Sequence, residues 1–185
     1  MKKTLAPLCL LAVMAACMQA PTRSTSTPAS GGGSTATPGG RESIVQGTSS
    51  SVHHTRFYQA LQSSGFINTL QGAGPFTVFA PTDSAFVKSG DASLLDPSQV
   101  TRLRKVMAYQ IVTGVWYTRN IQEAIDRGNG RAELQTLAGE SLTVTKEGDR
   151  FALSDRKGHK GYIETPDLAR ANGVVHVTGT LFFPN

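Results

Sequence analysis

A hydroxyl, a carboxylate and an imidazole, from Thr82, Asp83 and His176, stand inside the most distinctive apolar segments of this sequence. Brought together they would make a hydrolytic triad of nucleophile, acid and base. Their local settings point elsewhere. Thr82 and Asp83 follow a β-branched run and precede Ala85 and Phe86, where a helix begins and its free N–H groups need acceptors, so both read as caps. His176 alternates with valines, which predicts a buried, hydrogen-bonded imidazole.

His53 and His54 are adjacent, and neighbouring side chains on a helix diverge by about 100°, so the pair makes no chelate. His159 lies in the turn Lys157-Gly158-His159-Lys160-Gly161. With no HExxH-like spacing, and with Cys9 and Cys17 both at the extreme N-terminus, no metal or other cofactor is expected. Asn129-Gly130-Arg131 has the form of an integrin-directed tripeptide, but its glycine-rich setting reads as a turn. Trp116 and Tyr117, close to Arg119, are the expected binding surface, since aromatic rings beside a cation anchor protein and sugar contacts; core packing is the competing reading.

Charge excludes one function class. The net charge of +5 includes Lys2 and Lys3; without them 16 basic residues face 13 acidic ones, and only Arg102, Arg104 and Lys105 cluster. No phosphate-tracking stripe is present, so nucleic acid is not an expected partner.

The N-terminus reads as an address. Lys2 and Lys3 precede an apolar run from Leu5 to Ala16 that is too short to span a bilayer, so residues 1–16 are expected to be a signal peptide. Met14-Ala15-Ala16-Cys17 resembles the bacterial lipobox, which predicts lipidation of Cys17 and attachment to a membrane. Without lipidation the product is secreted. Residues 17–42 continue as a tether of Ser, Thr, Gly, Pro and Ala that cannot bury a core. Such a linker reaches on the order of a few nanometres.

Residues 43–185 are then left as one domain, long enough for a core of its own. Phe57, Ala60 and Leu61 predict a helix over 53–64 that stops at Gly65, with a short turn at Phe66, Ile67 and Leu70. Phe76 to Ala80 predict a buried strand, and Ala85, Phe86 and Val87 a helix after it. Asp96-Pro97 starts another helix with Val100, Leu103, Val106 and Met107 as its buried stripe, Tyr109 to Val112 extend from it, and Ile121, Ala124 and Ile125 mark a further helix closed by Gly128. Short strands follow at Leu142–Thr145, Phe151–Leu153, Tyr162–Ile163 and Val174–Val177. Helices first and hairpins later mean an α+β fold with an antiparallel or mixed sheet.

Two segments are more specific. Gly74-Pro75-Phe76-Thr77-Val78-Phe79-Ala80-Pro81-Thr82-Asp83-Ser84-Ala85-Phe86 and Asn172-Gly173-Val174-Val175-His176-Val177 resemble the two signature boxes of fasciclin domains, and Tyr109-Gln110-Ile111-Val112 resembles the family's middle motif. The resemblance covers roughly residues 43–185. It implies a wedge of about seven short strands beside a group of helices, a role in adhesion or surface binding, and no shared catalytic chemistry. Gln110 stands where the middle motif usually has histidine, and Thr178-Gly179 where Ile-Asp often follows the second box, so the integrin partner of animal members is not carried over.

The expected function is therefore a surface-displayed adhesion module that binds protein or polysaccharide of the cell surface or matrix, on a protein of the cell envelope, sorted to the outer membrane because Met18 is not aspartate. The alternatives are a tethered hydrolase, for which there is no nucleophile elbow or metal spacing, and a passive cell-wall or stress-associated lipoprotein.

Overall fold

Helices dominate the first part of the described chain, residues 42–185 of a computed structural model. The expected signal peptide, Cys17 and nearly all of the tether lie outside the described residues. Helix α1 (Ile44–Ser49) opens on a capping box in which Ser43 Oγ accepts the Gln46 N–H at 3.2 Å and Gln46 Oε1 accepts the Ser43 N–H at 2.8 Å. It precedes the first expected helix, and Ser-x-x-Gln was its local signal. Helix α2 (Thr55–Ser64) buries Phe57, Ala60 and Leu61 and ends at Gly65, whose left-handed φ of 79° suits a residue without Cβ. Helix α3 (Phe66–Leu70) follows directly.

Strand β1 (Phe76–Pro81) is buried from Thr77 onward, as its apolar run predicts, and leads into α4 (Asp83–Lys88). Two 3-10 turns, Ala92–Leu95 and Pro97–Gln99, precede α5 (Val100–Tyr109), so the expected Asp96 start is a 3-10 turn and not the first turn of the helix. Val100, expected in the buried stripe of its helix, is instead 40% exposed, and Val87 on α4 is 66% exposed. The short α4 places Ala85 and Phe86 inward and turns Val87 out, and Val100 is the first residue of α5 after the break.

Strand β2 (Ile111–Thr113) and helix α6 (Thr118–Arg127) come next, then β3 (Arg131–Gln135), β4 (Ser141–Glu147), β5 (Arg150–Ser154), β6 (Lys160–Arg170) and β7 (Gly173–Thr178). The composition of β3, Arg-Ala-Glu-Leu-Gln, does not announce a strand. Pairing with β4 decides it, burying Ala132 and Leu134 and leaving the alternate residues exposed.

The seven strands form one sheet in the order β2-β1-β7-β6-β5-β4-β3, with β1 and β7 parallel and the other pairs antiparallel. A bridge between Val112 and Thr136 joins the two ends, so the sheet curls into a nearly closed wedge. The fold is α+β, as expected. One core lies between helices α1 to α5 and the β1–β7 region, around Phe57, Leu61, Leu103 and Met107; the other fills the wedge under α6, around Phe79, Tyr109, Leu142 and Phe182.

The two signature boxes touch. Phe76 N–H donates to the Asn172 carbonyl at 3.0 Å, and a Cβ on Gly74 would strike that carbonyl, while one on Gly173 would strike the Phe76 backbone. Both positions also have positive φ, so glycine is required twice over. The Asn172 side chain accepts the Ile44 N–H at 3.0 Å and donates to the Leu70 carbonyl at 2.5 Å, tying α1 and α3 to the sheet.

Candidate functional site

Two polar side chains of the boxes, Thr77 and His176, converge on the segment Gly114 to Tyr117, which joins β2 to α6. Thr77, wholly buried in β1, donates from Oγ1 to the Gly114 carbonyl at 2.8 Å and accepts the Trp116 N–H at 2.9 Å. His176 reaches the same loop from β7: its Nε2 donates to the Trp116 carbonyl at 2.7 Å, and its Nδ1 accepts the Asp167 N–H at 3.1 Å. This bonding assigns the Nε2–H tautomer. The ring is fully buried and stacks on Phe79, centroid to centroid 5.4 Å.

Burial holds the His176 pKa below its ordinary value of 6.5, against the upward pull of the Trp116 carbonyl and of the Asp167 carboxylate, 3.9 Å from Nδ1. Asp167 owes its place to irregular pairing of β6 with β7, where the backbone turns to a φ of 58° just after Pro166. Its carboxylate accepts the Thr118 N–H at 2.8 Å and the Thr118 hydroxyl at 2.5 Å, fixing the start of α6. Sequence reading missed Asp167 and Thr77; the proline inside a strand run was the usable signal for the first.

The two other box residues are also engaged in structure. Asp83 Oδ1 accepts the Arg56 N–H at 2.7 Å, so it caps α2, across 27 residues, and not its own helix; its own N–H donates to the His53 carbonyl at 2.9 Å. Thr82 occupies the cap position of α4 without accepting a helix backbone N–H, its hydroxyl instead 2.9 Å from Ser84 Oγ. Asp83 differs from the expected local capping because the N-terminus of α2 abuts the β1–α4 junction and presents the Arg56 N–H to it. Thr82, Asp83 and His176 are thus each bonded to other groups and not to one another.

Trp116 and Tyr117 are half-buried and Arg119 is exposed. Trp116 packs on the wedge core and donates from Nε1 to the Thr113 carbonyl at 3.2 Å, so core packing accounts for part of this residue. Arg119 makes no ion pair among the described residues.

Gln110, in the middle motif, is fully buried and donates from Nε2 to the Phe182 carbonyl at 2.7 Å, holding the C-terminal tail. His159 Nδ1 lies 2.7 Å from the buried Asp155 carboxylate, which also accepts the Phe183 N–H at 2.9 Å. Asn129 and Gly130 have positive φ in the exposed turn before β3, as a turn reading requires. Among the described residues no three His, Cys, Asp or Glu side chains are placed to hold a metal ion, and no helix is long and apolar enough to cross a membrane.

A fasciclin-domain family model matches residues 52–184. The chain belongs to the fasciclin-domain family. It is 30% identical over 146 residues to Protein sll1483 of Synechocystis sp., covering 76% of this chain and 73% of that one. It is 30% identical over 148 residues to mouse Stabilin-1, covering 78% of this chain but only 5% of that large protein. Among solved structures, the fasciclin domain pair of the insect cell adhesion molecule Fasciclin I superposes with a TM-score of 0.68 at 18% identity, over 77% of this chain and 51% of the pair, which shows a shared fold.

Proposed function

We propose that this chain is an interaction module displayed at the cell envelope, binding protein or polysaccharide, and held to a membrane by lipid on Cys17. The observation that carries this reading is the fasciclin match over residues 52–184, in a family that includes an insect cell adhesion molecule. Support for the anchor comes from the lipobox-like Met14-Ala15-Ala16-Cys17 after a signal-like segment over 1–16, and Met18 in place of aspartate favours the outer membrane. A tether over 17–42 would let the module sample neighbouring surfaces, so that modest affinities add through multivalency. The proposed contact is the exposed side of the loop held by Thr77, His176 and Asp167, with Tyr117 and Arg119 foremost and Trp116 contributing its outer edge.

The hydrolase reading draws no support from Thr82, Asp83 and His176, each of which is bonded to groups other than the remaining two. The test is adhesion by cells carrying the wild-type chain, Cys17→Ala, or Tyr117→Ala/Arg119→Ala with unchanged melting. Trp116 is left intact because it packs on the core. Adhesion is expected to fall in both variants, and labelled fatty acid to enter wild type but not Cys17→Ala. Full adhesion by the folded double variant would reject the loop, and adhesion indifferent to deletion of the whole protein would reject the module.

A further inference from the structure

The three clustered cations of the sequence, Arg102, Arg104 and Lys105, gain a fourth only in the fold. The turn between β5 and β6 brings Lys157 to the wall of a cavity of about 370 Å³ that also carries Arg102 and Lys105. No Asp or Glu side chain lines this cavity; Asn185, the last residue of the sequence, also lines it. Arg102 is paired with Asp91 at 2.5 Å, whereas Lys105 and Lys157 have no acidic partner among the described residues. Two unneutralised ammonium groups beside a hollow attract an anion.

The walls are fixed in advance. Asp155, its carboxylate fully buried, accepts the Lys157 N–H at 3.0 Å and the Phe183 N–H at 2.9 Å, so one side chain holds both the lysine-bearing turn and the tail that faces it. Val106, Phe183 and Pro184 give the cavity apolar surface, and Ser98, in the 3-10 turn before α5, and Thr101, in its first turn, add hydroxyls. A second hollow of about 560 Å³ shares Thr101, Lys105, Pro184 and Asn185 with the first and adds Arg104, whose guanidinium lies 6.0 Å over the Phe66 ring. Glu140 lines that second hollow, its carboxylate oxygens 3.2 Å from the Asn185 backbone nitrogen, which donates to them.

We infer that this furrow, running past the C-terminal tail over α5, binds an anionic polysaccharide. Apolar, hydroxyl and cationic groups in the lining of the two hollows match the faces, hydroxyls and carboxylates of acidic sugars, and two hollows that share four lining residues suit a polymer better than a single ion. A bare phosphate surface would leave the apolar floor without a role. The inference deepens the interaction-module reading by naming the class of ligand, and it places the contact at a different surface from the Trp116 loop.

The experiment is calorimetric titration of the full chain with polygalacturonate at low salt, with neutral dextran, polyglutamate and phosphatidylglycerol vesicles as comparators. Polygalacturonate is expected to bind more tightly than any comparator and to weaken as salt is added. Lys105→Gln/Lys157→Gln is expected to lose about tenfold or more in affinity, and Lys88→Gln/Lys146→Gln, which removes the same charge from exposed sites elsewhere, less than about twofold. Equal losses in both variants would reduce the effect to net charge and overturn the site. Polyglutamate or vesicles binding as well as polygalacturonate would overturn the ligand class, as would no binding of polygalacturonate. Adhesion that depends on the protein but ignores the Lys105/Lys157 change would sink the furrow and leave the module standing; loss of the adhesion reading alone leaves the titration unaffected.

Discussion

The bed of the Gly114–Tyr117 loop and the furrow beside the C-terminal tail use polar residues in opposite ways. Beneath the loop, Thr77 and His176 are buried and Asp167 half-buried, and their polar atoms are bonded to backbone or to the Thr118 hydroxyl. In the furrow, Lys105 and Lys157 are exposed and have no acidic partner among the described residues. A side chain whose donors and acceptors are all engaged stabilises the fold; one left open to solvent is available to a ligand. Family-defining residues fall on the first side of this division, which is why they mark the fold and say little about partners.

The contrast is broken most directly at His176. His176→Ala would strand the Trp116 carbonyl and the Asp167 N–H and remove the Phe79 stack, at a cost of about 3 kcal/mol. Urea unfolding at neutral pH measures this; a loss within experimental error would remove His176 from the scaffold and reopen a chemical role. Asp83→Ala is expected to cost less, about 1 kcal/mol, because a single partly exposed cap of α2 is lost.

Acid provides a milder test of the same division. His176 and His54 both have pKa values lowered chiefly by burial. The unfolded chain therefore takes the proton first, so their stability contribution is complete above about 6.5 and declines as pH falls from there towards the lower folded values. The difference in unfolding free energy between wild type and His176→Gln, followed across that range, should narrow as pH falls. A constant difference would mean that His176 is not held neutral by burial.

What the sequence made legible was whatever local chemistry settles. The α2 stripe with its Gly65 stop, the β1 run between Gly74-Pro75 and Thr82, and the α6 helix before Gly128 all follow from residues within one element. Asp83 reads correctly as a cap but is assigned to the wrong helix, because its partner N–H belongs to Arg56 and sequence proximity favoured α4. Strand β3 was invisible for the converse reason: only its partner β4 makes Arg-Ala-Glu-Leu-Gln extended. The furrow could not be read at all, since Lys157 meets Arg102 and Lys105 only after β5 and the tail have closed on Asp155.

The smallest expected effect is also the sharpest discriminator. If Lys105 and Lys157 are free of structural duty, Lys105→Gln/Lys157→Gln should shift unfolding free energy by no more than about 0.5 kcal/mol in either direction, since no hydrogen bond or ion pair to another described residue is lost. The Lys157 backbone N–H, which Asp155 does hold, is untouched by the substitution. The ammonium groups sit on the same cavity wall as Arg102, so removing two like charges should if anything relieve repulsion there, and that relief should shrink as salt screens it. Thermal melts of both proteins at low and high salt measure the two quantities together. A loss above about 1 kcal/mol at both salt concentrations would place these lysines with His176 and Asp167 among the residues that hold the fold, and the furrow would then lose its claim to be a surface kept open for a ligand.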